Sequence, residues 1–233
     1  MKRVSVRFLL ITLILPLSML TAIAAVSICC QVSVSAFTRD PLAIAKVHPL
    51  TGVLSNLGNF LWCAAASICF FTASVLYIKR SEAFGFLLFS GFLSAYLLFD
   101  VFFQFHEYLA PRHLGLDDKI VYMALGIMVL VYLIVFRRIL QQTNYGILLL
   151  SAAFLFLSLS VDAIFGKWLS LDQLDSRRNI EFLLEDGAQF MGITCLCSYF
   201  AYTSRQLIID AFGPTQKAAH SKDLRAVVGF MGQ

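Results

Sequence analysis

The chain has 233 residues, of which 59% are hydrophobic and only 14% charged, with a formal net charge of +4 and a mean hydropathy of +0.80. An average soluble domain is about 25% charged, and a soluble fold of this size leaves too much surface in water to hide so many apolar side chains. These figures exclude a soluble enzyme, a nucleic-acid binder and a disordered linker, and they indicate a polytopic membrane protein.

A membrane-spanning helix requires roughly 20 mostly apolar residues. Six stretches meet that need, at about 8–30, 52–78, 84–109, 120–136, 145–165 and 182–204. None shows the alternating pattern of a transmembrane barrel, so the expected fold is all-α, a single bundle of six transmembrane helices over residues 1–210. Residues 211–233 read as a short cytoplasmic tail. The first stretch has two readings. Lys2, Arg3 and Arg7 followed by Phe8 to Leu20 and Ala22-Ile23-Ala24 resemble a cleaved signal peptide. The apolar run continues through Val26, Ile28, Cys29 and Cys30, which favours a retained helix.

Orientation follows the basic residues near helix ends. Eleven fall on one side: Lys2, Arg3, Arg7, Lys79, Arg80, Arg137, Arg138, Arg205, Lys217, Lys222 and Arg225. Seven fall on the other, Arg39, Lys46, Arg112, Lys119, Lys167, Arg177 and Arg178, in loops that also carry acids. Both termini are therefore expected in the cytoplasm of a bacterial inner (cytoplasmic) membrane. This asymmetry accounts for the basic pI without any nucleic acid. Tyr108, Tyr122 and Trp168 at outer ends, with Tyr77, Tyr145 and Tyr202 at inner ends, form the expected aromatic belts.

Polar residues inside spans are costly and mark cavities or partners. The second span contributes Ser55, Asn56 and Asn59, and the third Asp100, Gln104, His106 and Glu107. The fifth contributes Asp162, and the sixth Glu185, Asp186 and Gln189. At about 1.5 Å per residue, Asp100 and Asp162 lie about 25 Å from the inner boundary. The second and sixth spans run inward, so their polar groups occupy the same outer layer. Asp100, Gln104 and Glu107, at i, i+4 and i+7, are expected on one stripe, with His106 flanking it.

A layer of one His and several carboxylates suits a divalent metal, held by His106, Asp100 and Glu107. It equally suits acid–base or proton-relay work by Asp100, Glu107, Glu185 and Asp186, with Asn56, Asn59, Gln104 and Gln189 orienting substrate. A water-activating metal would imply a hydrolase. A transporter coupled to protons or cations is a second reading. The inner half, however, offers only Ser, Thr, Cys and Tyr199 for a path to the cytoplasm. A third reading is a non-enzymatic assembly subunit docking a membrane-protein partner or a second copy within the bilayer. The plainer alternative places Glu107, Glu185 and Asp186 among headgroups, paired with Arg112, Arg177 or Arg178. His48, beside Pro49 before the second span, is a further candidate ligand or an ordinary loop His, as are His113 and His220.

No His-x-x-x-His, His-Glu-x-x-His, Gly-rich phosphate loop or Gly-x-Ser-x-Gly element is present. The six cysteines (Cys29, Cys30, Cys63, Cys69, Cys195, Cys197) lack Cys-x-x-Cys spacing and read as small packers. Gly187, Gly192 and Ala64-Ala65-Ala66 suggest close helix packing, and Asp117-Asp118-Lys119 a helix cap. Gly85, Ser90 and Asp100 match Gly146, Ser151 and Asp162 at offsets of 61, 61 and 62. The match suits either chance or a parallel repeat that would pair Asp100 with Asp162.

The segments Leu97-Leu98-Phe99-Asp100-Val101-Phe102-Phe103-Gln104-Phe105-His106-Glu107 and Leu183-Leu184-Glu185-Asp186-Gly187-Ala188-Gln189-Phe190-Met191-Gly192 resemble hallmarks of an uncharacterised family of bacterial multi-pass membrane proteins. The resemblance covers about 49–204 and implies architecture without a reaction. The chain lacks the paired His of the ceramidase-like intramembrane hydrolases.

Overall fold

The computed structural model describes residues 6–39, 41–48, 50–168 and 175–212. Every regular element among them is helical, and the chain divides between Gly52 and Val53 into two compact units.

The first unit holds α1 (Val6–Cys30), α2 (Ser35–Thr38) and α3 (Pro41–Ala45). Helix α1 runs on through Cys30, as the continuing apolar run implies, and stops at Gln31, whose φ is 57°. The Val32 N–H closes that end on the Ser27 carbonyl at 3.2 Å. His48 is an exposed loop residue whose Nδ1 accepts the Leu50 N–H at 3.2 Å.

The second unit holds α4 (Val53–Ile78), α5 (Ala83–Phe103), a π-type helix (Phe105–Leu114), α6 (Asp118–Val135), α7 (Arg137–Gln142), α8 (Tyr145–Trp168) and α9 (Asp175–Phe212). Each of the six apolar stretches is thus helical. Helices α4 and α5 are each long and apolar enough to cross a bilayer. A third candidate span is the bent pair Tyr108–Leu114 and Lys119–Val135, which turns by 117°.

Helix α4 is central, packing on α5 and α9, and α9 packs on α8. Ala65 and Cys69 are fully buried there, so small side chains allow the close approach. The core gathers Ala65, Cys69, Ala73 and Leu76 with Phe86, Leu87, Tyr132 and Tyr199. Helix α6 meets α5 through rings: Tyr132 stacks on Phe86 and Phe89 at 5.9 and 5.6 Å. Outward faces remain apolar, with Phe60, Phe71 and Ile78 of α4 exposed.

The two repeat serines are both buried. Ser90 Oγ lies 2.9 Å from Tyr132 Oη, and Ser151 Oγ donates to the Gly192 carbonyl at 2.7 Å. Each therefore reaches the following long helix, although rings separate one pair and the other is in backbone contact. A Cβ at Gly192 would meet Leu155 Cγ at 2.7 Å, so this glycine is a close-packing site as expected. Gly187 is not: a Cβ there meets nothing within 4 Å. Cys69 is a buried packer and Cys195 and Cys197 are half-buried, but Cys29, Cys30 and Cys63 are exposed and pack no core.

Candidate functional site

The expected continuous third span is broken. Helix α5 ends at Phe103, and Gln104 adopts a left-handed conformation with φ 49° and ψ 48°. A wide helix follows, in which the Leu109 N–H reaches the Gln104 carbonyl five residues back. Pro111 contributes to this, since it has no N–H to donate and its ring opposes a regular α-turn. Asp100 and Gln104 therefore do not continue one α-helical stripe. Gln104 is exposed at the break, and the Glu107 side chain lies outside the described residues.

Asp100 organises the break. Its carbonyl accepts the Gln104 N–H, and its carboxylate Oδ1 accepts the His106 N–H at 3.1 Å. Oδ2 lies 2.7 Å from His106 Nδ1. The Asp100 and His106 side chains are 8% and 13% exposed, so the pair is largely withdrawn from solvent. A carboxylate only accepts, so Nδ1 carries the proton and Nε2 of the neutral ring is the acceptor. Tyr122 Oη sits 2.8 Å from that Nε2 and donates to it. The result is a hydrogen-bonded chain, Asp100–His106–Tyr122, running from a buried carboxylate to an exposed phenol.

Tyr122 reaches His106 because α6 starts sharply. Gly115, at φ 65°, ends the π-type helix, and the Asp117 carboxylate caps α6 by accepting the Lys119 N–H at 3.0 Å. That cap was expected. Tyr122 as a site residue was not, since the sequence offers only a belt tyrosine 16 positions from His106. The signal was the polar run through Glu107 followed by Pro111, which marks a break able to fold a later residue back.

A second polar locus lies between α4, α5 and α9. A cleft there is lined by Ser55, Gly58, Asn59, Val101, Asp186, Gln189 and apolar neighbours. Three expected residues thus converge: Asn59, Asp186 and Gln189. Asn56 is exposed and does not line the cleft; Ser55, one residue earlier, does. Glu185 is half-buried and outside the lining. Asp162 lies in α8, but its side chain is outside the described residues. The Arg177 and Arg178 side chains and all of His220 lie outside them too. Arg112 is engaged by Tyr108, bonding its hydroxyl and lying 5.2 Å over its ring. His113 is exposed.

Among the described residues, no group of three or more His, Cys, Asp or Glu side chains is placed to hold a metal ion. Of the proposed trio, Asp100 and His106 meet, and they hydrogen-bond each other. Their donor arrangement suits proton transfer.

No curated protein and no solved structure matches the chain. A family model described as a domain of unknown function (DUF8692) matches residues 8–203, and the chain belongs to that family.

Proposed function

We propose that this protein is a six-span protein of the bacterial inner membrane, with both termini cytoplasmic, that carries out hydrolase-type acid–base chemistry at its outer face. The observation that supports the chemistry is the graded burial of the Asp100–His106–Tyr122 chain. The carboxylate orients the imidazole and stabilises it when protonated. His106 Nε2 takes the phenolic proton, and Tyr122 meets the substrate. This is the division of labour of an orienter, a base and an activated hydroxyl.

An arylsulfonyl fluoride tests this without a known substrate. Attack by Tyr122 forms an O–S bond, the S–F bond breaks, fluoride leaves and the proton passes to His106. Peptide mass spectrometry should find Tyr122 labelled faster than exposed Tyr77 or Tyr145, with the preference lost in His106→Gln. Equal labelling of all three in the wild type sinks the reading.

The topology rests on the basic asymmetry and the apolar outward faces. With Cys29 and Cys30 changed to Ser, a membrane-impermeant maleimide should label Leu116→Cys in intact cells. Glu82→Cys and Gln142→Cys should label only after permeabilisation. The reverse pattern would invert the orientation.

A further inference from the structure

The cleft between α4, α5 and α9 is separate from the Asp100–His106–Tyr122 chain, and its lining is chemically one-sided. Ser55, Asn59, Asp186 and Gln189, all oxygen-bearing side chains, line it, and among the described residues no basic side chain does. Asn59 Oδ1 is buried without a hydrogen-bond partner in the structure. A sequestered carbonyl oxygen with no donor is costly, so it calls for an occupant that attracts oxygen. Gly58 lines the wall one residue before Asn59, where a Cβ would make an ordinary contact with Ile193 at 3.4 Å.

Charge selects the occupant. One carboxylate with three neutral oxygens balances a single positive charge. A divalent ion would leave net charge in a low-dielectric layer, and calcium sites ordinarily draw on several carboxylates. From this lining we infer a binding site for a monovalent alkali cation, sodium in the first instance. Asp186 supplies the charge at the mouth, Asn59 Oδ1 an inner ligand, and Ser55 and Gln189 the sides. Asn59 and Asp186 belong to different helices, so an ion bound by both ties α4 to α9. The site goes beyond the acid–base reading and does not rest on it.

Ligand linkage gives the test, because an ion bound only by the folded state raises the melting temperature as its concentration rises. The full chain in mild detergent is melted in sodium, potassium or choline chloride at constant ionic strength. Equilibrium binding of radioactive sodium is measured on the same samples. The expected result is saturable stabilisation by sodium over choline, with about one ion bound per chain. Asp186→Asn should weaken the apparent affinity at least about tenfold, as ligand charge sets affinity in oxygen sites. Gln189→Leu, at a half-buried position, provides a second variant if Asp186→Asn does not fold, and it too should weaken binding. Identical melting in all three salts with no bound sodium overturns the proposal. So does sodium binding that survives unchanged in the folded variants. Loss of Tyr122 labelling in these variants is not expected, which keeps the two sites distinguishable.

Discussion

Asp100→Asn is expected to leave the protein folded while slowing sulfonyl fluoride labelling of Tyr122 by at least about a hundredfold, the low end of what a positioned base contributes. The side chain keeps its shape, and its amide oxygen still accepts the His106 N–H that Asp100 Oδ1 now receives at 3.1 Å. The break at Gln104 therefore survives. The other end changes sign. An amide nitrogen donates, so it turns His106 Nδ1 into an acceptor and moves the ring proton to Nε2. Nε2 then faces the phenol of Tyr122 with a proton of its own and cannot take another. Asp100→Ala separates structure from chemistry in the opposite way. It strands the His106 N–H and ring nitrogen in a largely buried place, and leaving a buried donor unsatisfied costs about 1–3 kcal/mol. Melting and labelling measured together on both variants check the argument. A folded Asp100→Asn protein that labels at the wild-type rate removes Asp100 from the chemistry and leaves it as the clamp of a broken helix.

Gly192→Val is expected to destabilise the α8–α9 contact by about 1–3 kcal/mol, the usual cost of forcing atoms into a packed interface. A Cβ at this position would stand 2.7 Å from Leu155 Cγ and 3.1 Å from the Leu155 backbone nitrogen. The side chain of Leu155 can rotate, but its backbone cannot, so the helices must part. Parting them also stretches the bond from Ser151 Oγ to the Gly192 carbonyl, now 2.7 Å. Hydrogen bonds between helices in membranes average about 0.6 kcal/mol, so crowding dominates the loss. Gly187→Val is the control, because a Cβ there meets nothing within 4 Å. Unfolding in mixed micelles should rank Gly192→Val well below Gly187→Val, which should stay near the wild type. Equal stabilities would mean that α8 and α9 are not packed at this glycine.

Much of the helical framework was legible because its causes are local. Apolar runs of bilayer length set the helices, and acidic Asp117 ahead of Lys119 marked the start of α6. The close contact at Gly192 was legible, but the identical argument failed at Gly187. A small residue permits approach without saying which face the neighbour occupies. Asn59, Asp186 and Gln189 were expected to converge and do line one cleft. Asn56 gave way to Ser55, since the orientation of α4 depends on α5 and α9. A continuous helix through Leu109 was the natural reading of an apolar run, and it misplaced Gln104.

The amino-acid sequence by itself determined the helical class and the segments that become helices, because hydrophobic length and the cost of bare backbone in an apolar phase act along the chain. Only the tertiary structure decided which polar groups meet. Whether Asp100 bonds His106, and whether Tyr122 completes their chain, depends on a left-handed residue at Gln104 and a turn at Gly115. The first is accompanied by the bonds from His106 back to Asp100, and the second by the Gly115 N–H bonding the Ala110 carbonyl. A hydrogen bond between residues 16 positions apart is set by that folding back, which no local periodicity records.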